Sequence, residues 1–427
     1  MNSIQSFNKI NKVKGELNLQ GDKSISHRAV FLSSLANGKS VIKNLSDGED
    51  VLSTIKCFSA LGSEIKREKN EVIVIGKGFK NFSKPQNSLD CGNSGTTARL
   101  ITGILSAQNF ESVLIGDESL SKRPMDRVMI PLEKMGTRFE SENKNLPLKV
   151  IPSKELNPIN YELPIPSAQL NSAIIFAGLH CEGITSIIEK VSSRNHTEKM
   201  LGLEVKKSET GNTILVSKKN YPIPTEYFIP SDISSAAFFV VLTILLKDSS
   251  LRIKNVSLNE TRKGFLKILT EMGAKINFEN ISVSGGENYG DIIVESSKLA
   301  NVNISEEIIP NIIDEIPILS VAGLFAEGNF SIKGAGELRK KESDRINSLC
   351  YNYKLLGLDV EEFQDGFTSS GKIKNNNITF ESFGDHRIAM AFSILSLLLN
   401  TGGKVDNFSC VKISNPDFIN QIKQITG

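Results

Sequence analysis

Cysteine and histidine are scarce in this chain and are not arranged for disulfides or metal binding. The five cysteines among 427 residues are scattered, with no CxxC pair. An odd and dispersed set does not describe a disulfide framework, so the sequence predicts a protein of the reducing cytoplasm. The four histidines include no HxxxH pair, which argues against a metal site.

Long apolar segments are also missing. The longest run, from Ala236 to Leu246, is interrupted by Thr243 and is far shorter than the ~20 residues that a membrane helix needs. The first eight residues lack the apolar core of a secretory signal. We therefore expect a soluble protein that stays inside the cell and has no membrane partner.

Neither sign of charge dominates the sequence. Lysine and arginine number 50 against 48 acidic residues, a formal charge of +2, whereas a dedicated nucleic-acid binder carries a strong basic excess. Gly38-Lys39-Ser40 has Ser33 where a phosphate-binding loop needs glycine, and Gly76-Lys77-Gly78 lacks the third glycine of a dinucleotide fingerprint. We expect local anion-binding sites, no nucleic-acid partner and no cofactor.

An internal repeat organises the chain, whose length alone predicts two to four domains. Ile42-Lys43-Asn44 recurs as Ile253-Lys254-Asn255, 211 residues later, and Leu61–Ile65 matches Met272–Ile276 at the same offset. A repeat at a fixed distance indicates duplicated structure. The two halves of the chain are therefore expected to share one architecture.

Each half contains three copies of a shorter unit that alternates helices and strands. The second helix of a unit ends at Leu-Gly or Met-Gly, and this glycine is expected in the left-handed conformation at Gly62, Gly136, Gly202, Gly273 and Gly357. Six units predict an α/β protein with two domains, residues 21–229 and residues 1–20 with 230–427. The chain would cross between them near Gly21 and Ile229, which is the geometry of a hinge.

Polar helix starts carry the side chains that suit anionic ligands. They are expected near Asp22, Gly92, Ser167, Ser231, Asp314 and Gly384, where free backbone N–H groups favour an anion. In the run Arg339–Arg345, Lys341 and Arg345 would share one face of a helix at a spacing of four. Each segment alone is also explained by ordinary capping or by a solvated charged face, as for Asp314 as an N-cap.

Taken together, eight segments occur in the order and spacing of one family. They are GDKSISHR, CGNSGTTAR, SKRP, PSAQ, SSRNHTE, IDE, RKKESDR and GDHR. From about residue 10 to 420 the chain resembles the 5-enolpyruvylshikimate-3-phosphate (EPSP) synthases, and the SRNHTE stretch resembles the class II branch. The resemblance implies a two-domain inside-out α/β barrel of six βαβαββ repeats, as in enolpyruvyl transferases.

The resemblance also implies a reaction and a set of site residues. The enzyme would transfer the enolpyruvyl (1-carboxyvinyl) group of phosphoenolpyruvate to the 5-hydroxyl of shikimate 3-phosphate, releasing phosphate, in aromatic amino-acid biosynthesis. It would act as a monomer without metal or cofactor. The implied shikimate 3-phosphate ligands are Lys23, Ser24, Arg28, Ser167, Gln169, Arg194, Asp314 and Lys341. The implied phosphoenolpyruvate ligands are Lys23, Gly95, Arg123, Gln169, Lys341, Arg345 and Arg387.

The implied catalytic groups fit the chemistry of an enol phosphate. Asp314 would be the base for the 5-hydroxyl, and Glu342, together with Lys23, would move the proton at the enol methylene. Two carboxylates in different environments can divide acid and base work. Because the cationic motifs come from both halves, we expect the site to form only when the domains close.

Two alternatives remain at this point. A related enolpyruvyl transferase acts on UDP-N-acetylglucosamine, but its family carries a cysteine in the loop near Arg123, where this chain has no thiol. A non-catalytic anion-binding or RNA-binding protein would require more positive charge and aromatic stacking groups beside the basic segments.

Overall fold

The computed structural model describes residues 3–69 and 71–426. Strands occur throughout this part of the chain. In chain order they are Gln5–Phe7 (β1), Lys14–Asn18 (β2), Asn37–Lys43 (β3), Glu64–Glu68 (β4), Glu71–Lys77 (β5), Leu89–Asp90 (β6), Ser112–Ile115 (β7), Arg138–Ser141 (β8), Leu148–Ile151 (β9), Asn160–Glu162 (β10), Thr185–Glu189 (β11), Glu204–Ser208 (β12), Gly211–Val216 (β13), Glu226–Phe228 (β14), Ser250–Ser257 (β15), Lys275–Ser284 (β16), Glu287–Glu295 (β17), Phe330–Ile332 (β18), Asp359–Phe363 (β19), Gly366–Ser370 (β20), Thr379–Phe380 (β21) and Gly403–Val405 (β22).

Helices alternate with these strands. In chain order they are Lys23–Leu35 (α1), Glu49–Ala60 (α2), Gly95–Leu105 (α3), Glu118–Ser121 (α4), Asp126–Lys134 (α5), Ala168–Gly178 (α6), His196–Leu201 (α7), Ile233–Leu245 (α8), Gly264–Glu271 (α9), Ile309–Ile312 (α10), Ile316–Leu324 (α11), Arg345–Leu355 (α12), His386–Leu398 (α13) and Phe418–Thr426 (α14). Short 3-10 helices span Lys218–Asn220, Glu306–Ile308, Gly336–Lys340 and Phe408–Ile413.

The described residues divide into two compact units. The amino-terminal unit comprises residues 20–230 and 283–287, and the carboxy-terminal unit comprises residues 3–19, 231–282 and 288–426. Each unit has its own apolar core.

Three four-stranded sheets build the amino-terminal unit, in the orders β14-β3-β5-β4, β6-β7-β9-β8 and β10-β11-β13-β12. In each sheet the first two strands are parallel and the remaining pairs are antiparallel. A parallel pair needs a crossover, which a helix provides. The β10–β13 segment shows the repeat directly, since its order along the chain is β10, α6, β11, α7, β12 and β13.

The sheets of the carboxy-terminal unit have the orders β2-β15-β17-β16, β18-β20-β19 and β1-β22-β21. The N-terminal strand β2 pairs in parallel with β15, and β1 pairs antiparallel with β22. The N-terminal strands therefore complete sheets that otherwise come from the second half of the chain.

Helices α1, α6, α8, α11 and α13 are buried on all sides. In α8, for example, every residue from Ile233 to Ile244 is buried, and α13 is buried from His386 to Leu397. A helix that is apolar all round belongs inside a protein. Four of the eight motifs, GDKSISHR, PSAQ, IDE and GDHR, lie at the N-terminal ends of these core helices.

The glycines predicted to close the second helices have the expected conformation. The φ angles of Gly62, Gly136, Gly202, Gly273 and Gly357 lie between +60° and +110°, where a side chain would be strained. Among the described residues, no helix combines the length and apolar character needed to cross a membrane.

Candidate active site

Side-chain caps fix the helix ends that carry the polar motifs. Asp22 Oδ1 accepts a hydrogen bond from the Ile25 amide at 3.0 Å, and Asp385 Oδ1 accepts one from the Arg387 amide at 2.8 Å. Ser167 caps α6 in the same way. These caps orient the first helical turn, whose free N–H groups and positive dipole end favour an anion.

Helix α1 places Lys23, Ser24 and Arg28 in the amino-terminal unit. Lys23 Nζ donates to Asp50 Oδ2 at 3.0 Å, and Arg28 Nη1 donates to the Ser24 carbonyl oxygen at 3.0 Å. Lys23 is half-buried, whereas Arg28 is only 3% exposed. Arg28 is therefore fixed inside the unit and is not a mobile surface cation.

The other two nitrogens of the Arg28 guanidinium also have neutral partners. Nε donates to Thr197 Oγ1 at 2.6 Å and Nη2 donates to Ser172 Oγ at 2.8 Å. Burial lowers the pKa of Arg28, the charges of Glu198, Asp22 and Glu287 raise it and the positive charge of Arg194 lowers it, which together give a pKa of about 10. Two guanidinium groups close enough to interact, with neutral acceptors on one of them, favour a bound dianion.

The segment that carries Arg194 is anchored by buried carboxyl groups. Ser193 Oγ donates to Glu189 Oε1 at 2.6 Å, and Asn171 Nδ2 donates to Glu198 Oε1 at 2.5 Å. Burial, with help from the charge of Glu189, raises the pKa of Glu198 to about 8. The Glu198 carboxyl is therefore largely protonated at neutral pH and leaves the nearby positive charge in place.

Gln169, at the start of α6, connects two other motifs. Its Oε1 accepts from Arg99 Nη1 at 2.8 Å and its Nε2 donates to Thr96 Oγ1 at 3.0 Å. Arg99 Nη2 also donates to the Pro124 carbonyl oxygen at 3.1 Å. Arg99 thus joins Gln169 to the loop that carries Arg123.

Arg123 is hydrogen-bonded to the loop that precedes α3. Its Nη2 donates to Asn93 Oδ1 at 3.2 Å and to Ser119 Oγ at 3.3 Å. A Cβ atom on Gly95 would lie 2.8 Å from Arg99 Nη1 and 3.4 Å from Arg123 Nη1. The missing side chain therefore allows two guanidinium groups to lie close to the backbone at the start of α3.

In the carboxy-terminal unit, cations surround Asp314. Arg345 Nη1 donates to Asp314 Oδ1 at 3.0 Å, and Lys341 Nζ lies 3.5 Å from the same oxygen. Arg387 Nη2 lies 3.7 Å from Asp314 Oδ2. The interpretation of Asp314 as an N-cap is wrong, because Glu315 occupies the N-cap position of α11.

Arg345 contacts three carboxylates. Besides Asp314, its Nη2 donates to Glu342 Oε2 at 2.5 Å and its Nε donates to Asp385 Oδ2 at 2.8 Å. Burial alone would lower the pKa of Arg345, but the negative charges of Asp385, Glu342 and Asp314 more than offset this and raise it. Arg345 stays charged and fixes the positions of both predicted catalytic carboxylates.

One prediction about this region was wrong. Lys341 and Arg345 do not share a helical face, because α12 begins at Arg345 and Asp344 caps it through the Asn347 amide. Lys341 lies before the helix in extended backbone. The two cations still meet at one oxygen of Asp314, because the chain folds back before the helix starts.

Sequence reasoning assigned no role to several residues that hold the predicted site residues. They are Asp50, which accepts from Lys23, Arg99, which donates to Gln169, Asp385, which accepts from Arg345, and Glu315, which lies beside Arg387. Arg99 and Asp385 lie within recognised motifs. Glu315 also lies within a recognised motif, IDE, whereas Asp50 carries no signal besides its type, since its contact is with a distant segment.

Comparison with known proteins gives the family. The EPSP synthase model, described as 3-phosphoshikimate 1-carboxyvinyltransferase, matches residues 7–422. The chain belongs to this family. The 3-phosphoshikimate 1-carboxyvinyltransferase of Petrotoga mobilis is 46% identical over 97% of both chains, and that of Alkaliphilus metalliredigens is 45% identical over 98% of this chain and 99% of its own.

Solved structures agree with this assignment. The EPSP synthase from Acinetobacter baumannii has a TM-score of 0.87 and 37% identity, covering 100% of this chain and 98% of its own. The enolpyruvyl transferase NikO from Streptomyces tendae has a TM-score of 0.78 at 13% identity, covering 99% of this chain and 97% of its own, which shows a shared fold only. The predicted family, enolpyruvyl-transferase fold and transferase class are confirmed, and neither alternative function is favoured.

Proposed function

We propose that this enzyme performs its family's reaction, transferring the 1-carboxyvinyl group of phosphoenolpyruvate to the 5-hydroxyl of shikimate 3-phosphate, with Asp314 as the base. The observation that carries the role of Asp314 is its contact with three cations, Arg345, Lys341 and Arg387. A base must remain ionised beside two anionic substrates, and nearby positive charge favours the ionised carboxylate.

The amino-terminal unit supplies the phosphate ligands of shikimate 3-phosphate in this proposal. Ser24, Arg28, Ser167 and Arg194 would hold the phosphate, and Lys23 and Gln169 would lie beside them. The neutral acceptors of Arg28 and its proximity to Arg194 support this assignment. Asp314 and Lys341 would contact the part of the substrate that reacts.

Phosphoenolpyruvate would be held by cations of both units. Lys23, Gly95, Arg123 and Gln169 belong to the amino-terminal unit, and Lys341, Arg345 and Arg387 belong to the carboxy-terminal unit. The close approach of two guanidinium groups to Gly95 supports its role. Arginine forks match carboxylate and phosphate oxygens in two-point contacts.

The proton transfers follow from these positions. Glu342, together with Lys23, protonates the methylene carbon of phosphoenolpyruvate, and Asp314 removes the proton from the 5-hydroxyl as that oxygen adds to C2. The tetrahedral intermediate then loses phosphate as the methylene proton returns to the enzyme. The contact of Arg345 with both carboxylates supports this division of work, since it fixes the two groups relative to each other.

The organisation of the enzyme forms part of the same proposal. Residues 21–229 and residues 1–20 with 230–427 would act as the two enolpyruvyl transferase domains, which close on the substrates. A cytoplasmic monomer is proposed, and the free thiols of all five cysteines support a reducing compartment.

Phosphate release tests the reaction and the base together. We expect release from the purified protein only when both shikimate 3-phosphate and phosphoenolpyruvate are present. Asp314→Asn is expected to keep binding of shikimate 3-phosphate in calorimetry while kcat falls by about 10²- to 10⁴-fold, the usual contribution of a positioned base. No release from the parent protein would refute the reaction, and near-parental kcat in the variant would remove Asp314 from the mechanism.

A further inference from the structure

Glu315, next to the proposed base, forms a buried contact that the reaction scheme above does not use. The side chain of Glu315 is 1% exposed. Ser234 Oγ donates a hydrogen bond to Glu315 Oε1, Arg262 Nη2 lies 3.6 Å from this oxygen, and Arg387 Nη1 lies 3.8 Å from it. One carboxylate oxygen therefore lies between two guanidinium groups.

Arg262 is the fixed member of this group. It is 2% exposed, and its Nη2 donates to Ser234 Oγ. Arg262 lies in the turn before α9, where its amide donates to the Asn259 carbonyl oxygen at 2.8 Å and the Thr261 amide donates to Asn259 Oδ1 at 2.9 Å. A buried guanidinium requires a counter-charge, which Glu315 provides.

Arg387 lies between two neighbouring carboxylates. Its Nη1 donates to the Asp314 carbonyl oxygen at 3.1 Å and faces Glu315, while its Nη2 is 3.7 Å from Asp314 Oδ2. This distance and the 3.8 Å from Nη1 to Glu315 Oε1 are both ion-pair distances and are too long for hydrogen bonds. Arg387 is therefore hydrogen-bonded to the backbone of Asp314 and lies at similar distances from the carboxylates of Asp314 and Glu315.

We infer that Glu315 is a positioning residue for Arg387, and that Arg262 and Ser234 fix Glu315 in place. The negative charge of Glu315 allows two guanidinium groups to lie near each other. With that charge removed, Arg387 would lose its attraction to Glu315 and shift toward the carboxylate of Asp314, whose Oδ2 already lies 3.7 Å from its Nη2. A guanidinium paired closely with Asp314 would no longer face an anionic substrate. The inference rests on the proposed assignment of Arg387 to phosphoenolpyruvate.

Glu315→Gln removes the charge and preserves the shape of the side chain. We expect the KM for phosphoenolpyruvate to rise about tenfold, the effect of ~1.4 kcal/mol, while the KM for shikimate 3-phosphate changes less than about twofold. A purely structural role would lower the concentration of active enzyme and leave both KM values unchanged.

Asp291→Asn is the matched control. Asp291 is a buried carboxylate of the same unit that accepts from Arg252 Nη1 at 3.0 Å, and it lies in β17, away from the polar helix starts. We expect this variant to keep both KM values. If Glu315→Gln leaves the KM for phosphoenolpyruvate within twofold of the parent value, the inference is wrong.

Arg387→Gln, measured in parallel, separates this inference from the site assignment. It should raise the KM for phosphoenolpyruvate at least as much as Glu315→Gln does. If Arg387→Gln has no effect on that KM, the assignment of Arg387 is wrong and the inference falls with it. If only Glu315→Gln has no effect, the assignment stands and the inference alone is refuted.

A charge-balanced double variant covers the case in which Glu315→Gln does not fold. Arg262→Gln with Glu315→Gln removes both members of the buried pair, which proteins tolerate better than the loss of one. Because Arg387 still lacks its carboxylate, we expect the raised KM for phosphoenolpyruvate to persist. A parental KM in the folded double variant would overturn the positioning role.

Discussion

The arginines of the candidate site have different hydrogen-bond partners in the two units. In the amino-terminal unit, Arg28, Arg99 and Arg123 donate to hydroxyl, amide and carbonyl oxygens. In the carboxy-terminal unit, Arg345 and Arg387 lie against the carboxylates of Asp314, Glu342, Asp385 and Glu315. The first arrangement preserves positive charge, and the second balances it.

This difference corresponds to a difference in chemical task. A neutral acceptor orients a guanidinium without cancelling its charge, which suits a set of residues that must bind a phosphate dianion. Carboxylates held by guanidinium groups stay ionised and fixed, which suits proton transfer. Lys23 combines both features, because it belongs to the amino-terminal unit but pairs with Asp50.

The largest expected effect comes from removing the cation that contacts three carboxylates. Arg345→Gln leaves Asp314, Glu342 and Asp385 without their shared counter-charge in a buried site, and we expect it to lower the free energy of unfolding by about 3–5 kcal/mol. Arg28→Gln loses only bonds to neutral groups and should cost about 1–3 kcal/mol. Urea unfolding of both variants measures the contrast, and equal losses would contradict the distinction between the units.

Arg28→Gln is expected to affect binding far more than stability. Loss of a charge-assisted contact to phosphate, about 1.5–3 kcal/mol, corresponds to a rise of roughly 10- to 100-fold in the KM for shikimate 3-phosphate. The KM for phosphoenolpyruvate should change much less. Steady-state kinetics with each substrate varied in turn provide the test, and equal changes in the two KM values would remove Arg28 from the phosphate site.

The pH dependence of stability tests whether the Glu198 carboxyl is uncharged and therefore does not neutralise the arginines of the amino-terminal unit. The pKa of Glu198 rises from 4.5 to about 8 on folding, chiefly because of burial. Between these two pH values the folded chain therefore binds a proton on Glu198 that the unfolded chain does not bind. The contribution of this proton to the free energy of unfolding is complete below pH 4.5 and is lost as the pH rises to 8. Relative to Glu198→Gln, the parent should therefore lose about 2.5 kcal/mol between pH 5.5 and 7.5.

Urea unfolding at both pH values measures this change. Glu209→Gln, on an exposed turn, is the control and should follow the parent curve at both pH values. If the difference between the parent and Glu198→Gln stayed constant with pH, the Glu198 carboxyl would already be ionised at neutral pH. In that case the amino-terminal unit would also neutralise its arginines with carboxylates.

Much of this site could be predicted from the sequence because its helix ends are determined by residues that are close together in the chain. Helix caps such as Asp22 and Ser167 and the left-handed glycines are properties of a few consecutive residues. The partners of the cations could not be predicted in the same way, because Asp50 reaches Lys23 from another helix. The misassigned helix at Lys341 had a local signal, since Asp344 is a typical N-cap residue within the charged run.

The smallest expected effect concerns a single neutral contact to Arg123, an arginine proposed to bind phosphoenolpyruvate. Ser119→Ala removes the 3.3 Å bond to Arg123 Nη2 but leaves the 3.2 Å bond to Asn93. A neutral hydrogen bond contributes about 0.5–1.5 kcal/mol, and at this length we expect the lower value, which is a rise of roughly twofold in the KM for phosphoenolpyruvate. Glu315→Gln is expected to change the same KM about tenfold. Steady-state kinetics would contradict this order if Ser119→Ala raised the KM for phosphoenolpyruvate more than Glu315→Gln does. Neutral contacts would then position an arginine as firmly as a carboxylate does, and the contrast between the two units would not matter for substrate binding.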